Sequence, residues 1–179
     1  MELRYIGNSI EENMKDDLWE IVCAVDHDFV PALSSRESSY QKGFNMEEKS
    51  GVLPYEYFDA LLKQDFILAY EDEKIVGFLS FRNHYSCEDL SPIEDSLYIS
   101  TICILPEKRG LGISSALYSF TEDSVSKDLG YSYITTRTWS TNGAQMHALP
   151  KRGYEKVKVI ESDRGEGIDT VYFARKVKK

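Results

Sequence analysis

The stretch Ile102-Cys-Ile-Leu-Pro-Glu-Lys-Arg-Gly-Leu-Gly-Ile-Ser-Ser115 has the residue types of an anion-binding turn. An apolar run stops at Pro106, glycines follow at 110 and 112, and a helical pattern opens at Ile113. A helix start leaves about four backbone N–H groups without intrahelical partners, at the positive end of the helix dipole. Glycine allows a backbone path and a close approach that a Cβ would block. Together these features suit a phosphate or pyrophosphate group.

Two common phosphate binders fit poorly. A dinucleotide fingerprint needs a third glycine where Ser115 stands, in a first strand-helix-strand unit, whereas this turn lies past mid-chain. A nucleotide P-loop needs Gly-Lys-Ser/Thr, which the segment lacks. Metal chemistry has no support either, because Cys23, Cys87 and Cys103 are far apart with no C-x-x-C spacing. Cys103 sits inside an apolar run with no nearby histidine, which predicts a buried structural thiol rather than a nucleophile.

The elements that must position this turn follow from periodicity. A strand is expected over residues 2–6, and Ser9 with Glu12 has the spacing of a capping box. Met14, Leu18, Ile21, Val22 and Val25 then share one helical face, ending near Asp26. Residues 29–40 lack a clean period and read as a loop or broken helix. A second helix is expected after Pro54, with Tyr55, Phe58, Leu61 and Leu62 facing inward. Phe66 to Tyr70 and Ile75 to Phe81 form a hairpin signal, followed by a polar loop and the apolar strand 97–105. A helix from Ile113 to about Leu129 stops at Gly130. Strand 131–139, a short helix from Asn142 and a closing strand pair around Arg164-Gly-Glu-Gly167 complete the order. One mixed α/β sheet with helices on its faces is predicted.

The chain has 179 residues with 21 Lys+Arg against 30 Asp+Glu, a net charge of −9. That length suits one domain spanning 1–179. An acidic chain without a basic block makes nucleic acid a poor partner. No apolar run approaches the roughly 20 residues of a membrane span, and no signal peptide is visible, so a cytoplasmic location is expected.

R-x-x-G-x-S after a strand and proline resembles the acyl-coenzyme-A segment of the GNAT superfamily of N-acyltransferases, written there Q/R-x-x-G-x-G/A. Asn142 through Gly153-Tyr154 is similar to that superfamily's second signature. The resemblance implies a mostly antiparallel mixed sheet of about seven strands with about four helices, splayed between the fourth and fifth strands. It implies that the backbones of Ile102, Cys103 and Ile104 pair with the pantetheine arm. The pyrophosphate would rest on Arg109, Gly110, Leu111, Gly112, Ile113, Ser114 and Ser115, with Asn142 near the arm. Acetyl-CoA would be the co-substrate, without a metal, and the acceptor a primary amine of a small molecule or peptide, attacked by direct aminolysis. A non-catalytic acyl-CoA binding or sensing module of the same fold is the alternative.

Two positions depart from the superfamily pattern. The usual proton-donating Tyr is Leu149, and a common Glu is Ser100. Other polar candidates are Arg137, which either pairs with an acceptor carboxylate or with a neighbouring acid at the sheet surface, and His147 as a proton relay. His147 is two residues from Leu149, roughly 200° round a helix. Tyr98 and Tyr118 read as core or rim aromatics. The surplus acid suggests a cationic acceptor, and an edge strand in the closing pair suggests a homodimer.

Overall fold

In the computed structural model, which describes residues 1–44, 46 and 51–178, the chain begins with β1 (Glu2–Gly7), α1 (Glu12–Val25) and α2 (Tyr55–Leu61). It continues through β2 (Asp65–Glu71), β3 (Lys74–Tyr85), β4 (Ser96–Ile104), α3 (Ile113–Phe120) and β5 (Tyr133–Trp139). α4 (Gly143–Lys151), β6 (Glu155–Ile160) and β7 (Thr170–Lys176) close the order. The seven strands form one sheet in the order β1-β2-β3-β4-β5-β7-β6. Every neighbouring pair is antiparallel except β4 and β5, which run parallel.

The parallel pair is short, and that shortness creates the site. Leu97, Tyr98 and Ile99 pair with Ile134, Thr135 and Thr136, and there the pairing stops. Beyond Ile99, β4 stays with β3 through Ile102↔Leu79, Cys103↔Phe78 and Ile104↔Gly77, while β5 stays with β7. The two strands therefore part, leaving one edge of β4 open. Gly77 lets β3 follow β4 this closely, since a Cβ there would lie 2.6 Å from the Ile104 side chain and 3.0 Å from the Cys103 carbonyl oxygen.

The register of β4 also slips by one residue where the strands part. Thr101 faces Ser80 and Ile99 faces Phe81, so Ser100 has no partner on β3 and forms a bulge. Bulges re-aim side chains and end pairing, and they are common beside active sites. Simple alternation does not reveal this one.

Leu18, Ile21, Val22 and Val25 of α1 are buried in the core, as their spacing predicts. α1 packs on β3 and β4, and α3 packs on β2, β3 and β4. Three local expectations are corrected. α1 starts at Glu12 with Glu11 at its cap and no side-chain capping bond, because Ser9 is taken up in a turn to Ile6. α2 buries Tyr57 and Leu61, while Tyr55 stands exposed and stacks on Trp19. β3 runs to Tyr85, into the stretch read as a polar loop.

The helix after the glycine turn is not one regular element. α3 passes into a π turn over Thr121–Val125 and a last α turn over Ser126–Asp128 before Gly130 (φ +78°) ends it. Two hydroxyls bond back to the helix there, Thr121 to the Leu117 carbonyl and Ser126 to the Glu122 carbonyl. Such back-bonding competes with the regular ladder. The extra residue turns Glu122 inward, where it is 6% exposed.

Candidate active site

The open edge of β4 and the glycine turn line a single cavity of about 520 Å³. Its walls include Ile102, Cys103 and Ile104 on one side and Arg109, Gly110, Gly112, Ile113 and Ser114 on the other. Gly110 and Gly112 adopt φ +77° and +80°, a region that strains any residue with a Cβ. Gly112 caps α3, whose first backbone bond runs from the Ala116 N–H to the Gly112 carbonyl at 3.0 Å. Among the described residues, no backbone carbonyl outside the helix accepts from the N–H groups of Gly110, Leu111, Gly112 or Ile113. These four N–H groups of the glycine turn are thus left without a backbone acceptor among the described residues.

Two members of the turn face elsewhere. The Leu111 side chain is 64% exposed, and the Ser115 hydroxyl accepts from Arg152 at 3.1 Å. The neighbouring cations are engaged, Lys108 with Glu71 and Arg109 with Asp28. Asp28 follows α1, so the Arg109 pair spans the mouth of the cavity. Asn142 caps α4, accepting from the Gln145 N–H at 3.3 Å and donating to Thr138 at 3.1 Å.

A second cavity of about 80 Å³ occupies the gap between β4 and β5. It shares Phe29, Ile102, Trp139, Asn142 and Gln145 with the larger one. Ser100, Tyr118, Arg137 and Leu149 complete much of its wall. Ser100 points a buried hydroxyl that has no partner. Leu149 is buried there, so the usual donor position contributes an apolar surface. His147 is exposed on α4 and lines neither cavity, which removes it as a relay; the helical angle to Leu149 carries it outward.

Tyr118 takes a more central place than its sequence position suggests. Its hydroxyl donates to the Gln145 side chain at 2.9 Å, and Gln145 belongs to both cavities. Burial foremost, and then the Glu122 charge, push this phenol well above its usual value, so it keeps its proton. A helical spacing in an apolar run gave no sign of this role, because α4 supplies the partner.

Arg137 has no carboxylate partner among the described residues. It donates to the Ser39 carbonyl at 3.0 Å, the Gln41 carbonyl at 2.9 Å and the Tyr172 hydroxyl at 3.1 Å. Its Nε is buried and unpartnered. The alternative of a surface ion pair is therefore not what the fold builds.

Cys103 is 3% exposed, and burial pushes its thiol far above the usual range. Its side chain is structural even though its backbone lines the cavity. Iodoacetamide is expected to label Cys23 and Cys87, both half-buried, in the native protein, and Cys103 only after denaturation. Peptide mass spectrometry checks this; native labelling of Cys103 would contradict the assignment.

An open strand edge beside a glycine turn, on a seven-stranded sheet parted at its parallel pair, is the fold that the resemblance to the GNAT superfamily implies. Residues 33–154 match the Acetyltransferase (GNAT) family, more than half of the chain, and the chain belongs to that family. Solved structures share the fold. An aminoglycoside 6'-acetyltransferase type Ii superposes with a TM-score of 0.69 at 14% identity, covering 100% of this chain and 99% of that one. An N-acetyltransferase from Staphylococcus aureus Mu50 gives 0.68 at 12% identity, covering 99% and 100%. A protein from Bacillus anthracis str. Ames, solved in complex with acetyl coenzyme A, gives 0.53 at 17% identity over 64% of this chain and 63% of that one. No curated protein matches the chain by sequence.

Proposed function

We propose that this protein transfers an acetyl group from acetyl-CoA to a primary amine by direct aminolysis of the thioester. The observation that carries the reading is the junction of the two cavities: an anion cradle and open strand edge lead straight into a small polar gap. The pyrophosphate rests on the Gly110 to Ser114 turn, and the pantetheine arm lies along the Ile102 to Ile104 backbone. The acceptor enters the gap from the other side. Its nitrogen attacks the thioester carbonyl, the C–N bond forms, the C–S bond breaks, and the sulfur leaves as a thiolate that takes up a proton.

Tyr118 is the candidate donor of that proton. It would replace the tyrosine that the chain lacks at Leu149, lining the gap from α3 and bonded to Gln145 at the junction. The acceptor begins as an ammonium with an ordinary pKa near 10.4, so it sheds a proton before attack. Asp28 is the carboxylate of the cavity walls, and Arg109 already holds it. Solvent in the cavity therefore takes the amine's proton, and positioning supplies most of the acceleration.

Thiol release from acetyl-CoA across an amine panel tests the reading. Release with at least one amine supports it. Normal acetyl-CoA binding with no release on any amine favours a binding module instead. Tyr118→Phe is expected to lower kcat by about 100-fold or more while KM for acetyl-CoA stays nearly unchanged. An unaltered kcat would remove Tyr118 from the mechanism.

A further inference from the structure

Three arginines from distant parts of the chain converge beneath the loop that joins α1 to α2. Arg36 comes from that loop, Arg137 from β5 and Arg164 from the β6–β7 turn. Their guanidinium carbons lie 5.3, 5.2 and 4.5 Å from the centre of the Phe44 ring. Arg36 is 6% exposed and Arg164 2%. Among the described residues, none of the three forms an ion pair.

Their hydrogen bonds go to neutral acceptors. Arg36 donates to the Pro31 and Val30 carbonyls, both at 2.9 Å. Arg164 donates to the same Val30 carbonyl at 2.7 Å and to the Thr170 hydroxyl at 2.9 Å. Asp163 touches this group only through Thr170, whose hydroxyl donates to it. Burial foremost, and then the other two guanidiniums, pull Arg164 down to about 9. Burial likewise pulls Arg36 down to about 10.

The same fold treats two partly buried arginines elsewhere quite differently. Arg152 and Arg175, on α4's end and β7, both close on the buried carboxylate of Glu122. A buried charge left without a counter-charge is costly, by several kcal/mol on general grounds. Three of them side by side also repel one another. Burial works against the charge of Arg137 too, but the Tyr98 and Tyr172 hydroxyls outweigh it and hold that guanidinium charged; with Arg36 and Arg164 buried behind it, this one arginine at the cavity wall suits a ligand that brings negative charge. Arginine's planar fork matches carboxylate and phosphoryl oxygens particularly well.

We propose that the acceptor carries an anionic group, a carboxylate or a phosphoryl group, beside its amine, and that Arg137, backed by Arg36 and Arg164, receives it. The proposal rests on the transferase reading above and names its substrate class. Arg137 is the member that lines the gap, with an unused Nε, and Ser100 with its unused hydroxyl lines the same gap. A volume of about 80 Å³ leaves only a few bonds between anion and amine. The net charge of −9 pointed to a cationic acceptor, but the charge at the cavity has the opposite sign. The surplus acid belongs to the rest of the molecule.

The test compares matched amines with the full-length protein and acetyl-CoA: glycine against glycinamide, and O-phosphoethanolamine against ethanolamine, with putrescine as a dication. At least one anionic member is expected to exceed its neutral partner in kcat/KM by about 100-fold. Arg137→Gln is expected to bring that ratio close to one, and Arg137→Lys to restore part of it. Neutral amines or putrescine outrunning both anionic amines overturns the proposal and leaves the transferase reading intact. A role for Arg137 in merely pinning the loop would lower every rate together and leave the ratio unchanged, which also overturns it.

A binding readout separates the two failures. Trp139 lies 5.5 Å from the Arg164 guanidinium, and Trp19 packs on Tyr55 and Phe58 far along the sequence from it. In a Trp19→Phe background, inorganic phosphate is expected to shift Trp139 emission saturably, and Arg137→Gln to abolish the shift. Should no amine release thiol while acetyl-CoA binds, the transferase reading fails. This titration then decides the anion site by itself: a saturable shift lost in Arg137→Gln supports it, and a flat trace overturns it.

Discussion

Gly112→Glu is expected to weaken acetyl-CoA binding by about 100-fold or more, and by far more than Gly112→Ala. Nothing lies within 4 Å of a Cβ built at this position, so steric conflict is not the cause. Two other effects are. At φ +80°, an L-residue is strained by about 1–2 kcal/mol, which drives the turn toward other conformations and makes binding restore this one. A glutamate also sets a carboxylate among the N–H donors proposed to hold the pyrophosphate, satisfying them internally and repelling the ligand. Each effect at about 1.4 kcal/mol is a factor of ten. Alanine carries only the first, so its loss stays within about 5- to 30-fold. Calorimetric titration of both variants measures this, with melting curves to show that each is folded. Unchanged affinity in Gly112→Glu would remove the turn from the cofactor site and, with it, the strongest support for the proposed function.

The second large effect concerns stability. Glu122→Gln is expected to cost about 3 kcal/mol, the low end for breaking a buried pair, because it removes the buried carboxylate on which the partly buried Arg152 and Arg175 both close. For a chain of this length, that lowers Tm by about 10 °C. Arg152 donates to Glu122 from Nε and Nη2, each at 3.0 Å, and also reaches Ser119 at 2.8 Å and the Ser115 carbonyl at 3.2 Å. The cluster thereby ties the end of α4 and β7 to the first turn of α3, directly behind the phosphate cradle. Weaker acetyl-CoA binding should accompany the lower Tm. A melting temperature within a degree or so of the parent would mean that solvent reaches this cluster and screens it.

How far each of these features is legible in sequence differs for physical reasons. The glycine turn is legible because positive φ at 110 and 112 is a local backbone demand that glycine meets at little strain, and because the apolar run and Pro106 fix what precedes it. The core face of α1 is legible for the same kind of reason, since helical spacing within a few residues writes it out. Even so, Tyr57 rather than Tyr55 turns inward on α2, a short element whose period is too brief to fix its face.

Ser100 and Glu122 show where periodicity stops. Each sits beside one inserted residue, a bulge in β4 and a π turn after α3, and either insertion shifts the faces that alternation would assign. Tyr118 was visible as an aromatic at helical spacing, but its partner Gln145 lies on another helix. The arginines are the extreme case. Positions 36, 137 and 164 share no period, and Arg164 stands in a glycine-rich stretch that reads only as a turn.

By itself, the sequence determined the order of elements, the glycine turn and the family pattern, because each is set by backbone preferences among near neighbours. Tertiary structure alone decided that the pairing of β4 and β5 stops at Ile99, that the buried Glu122 holds two arginines, and that three guanidiniums meet at Phe44 with no ion pair among the described residues. Charge pairing is a matter of distance in space, and these contacts join residues as much as 100 and more positions apart, where no local preference reaches.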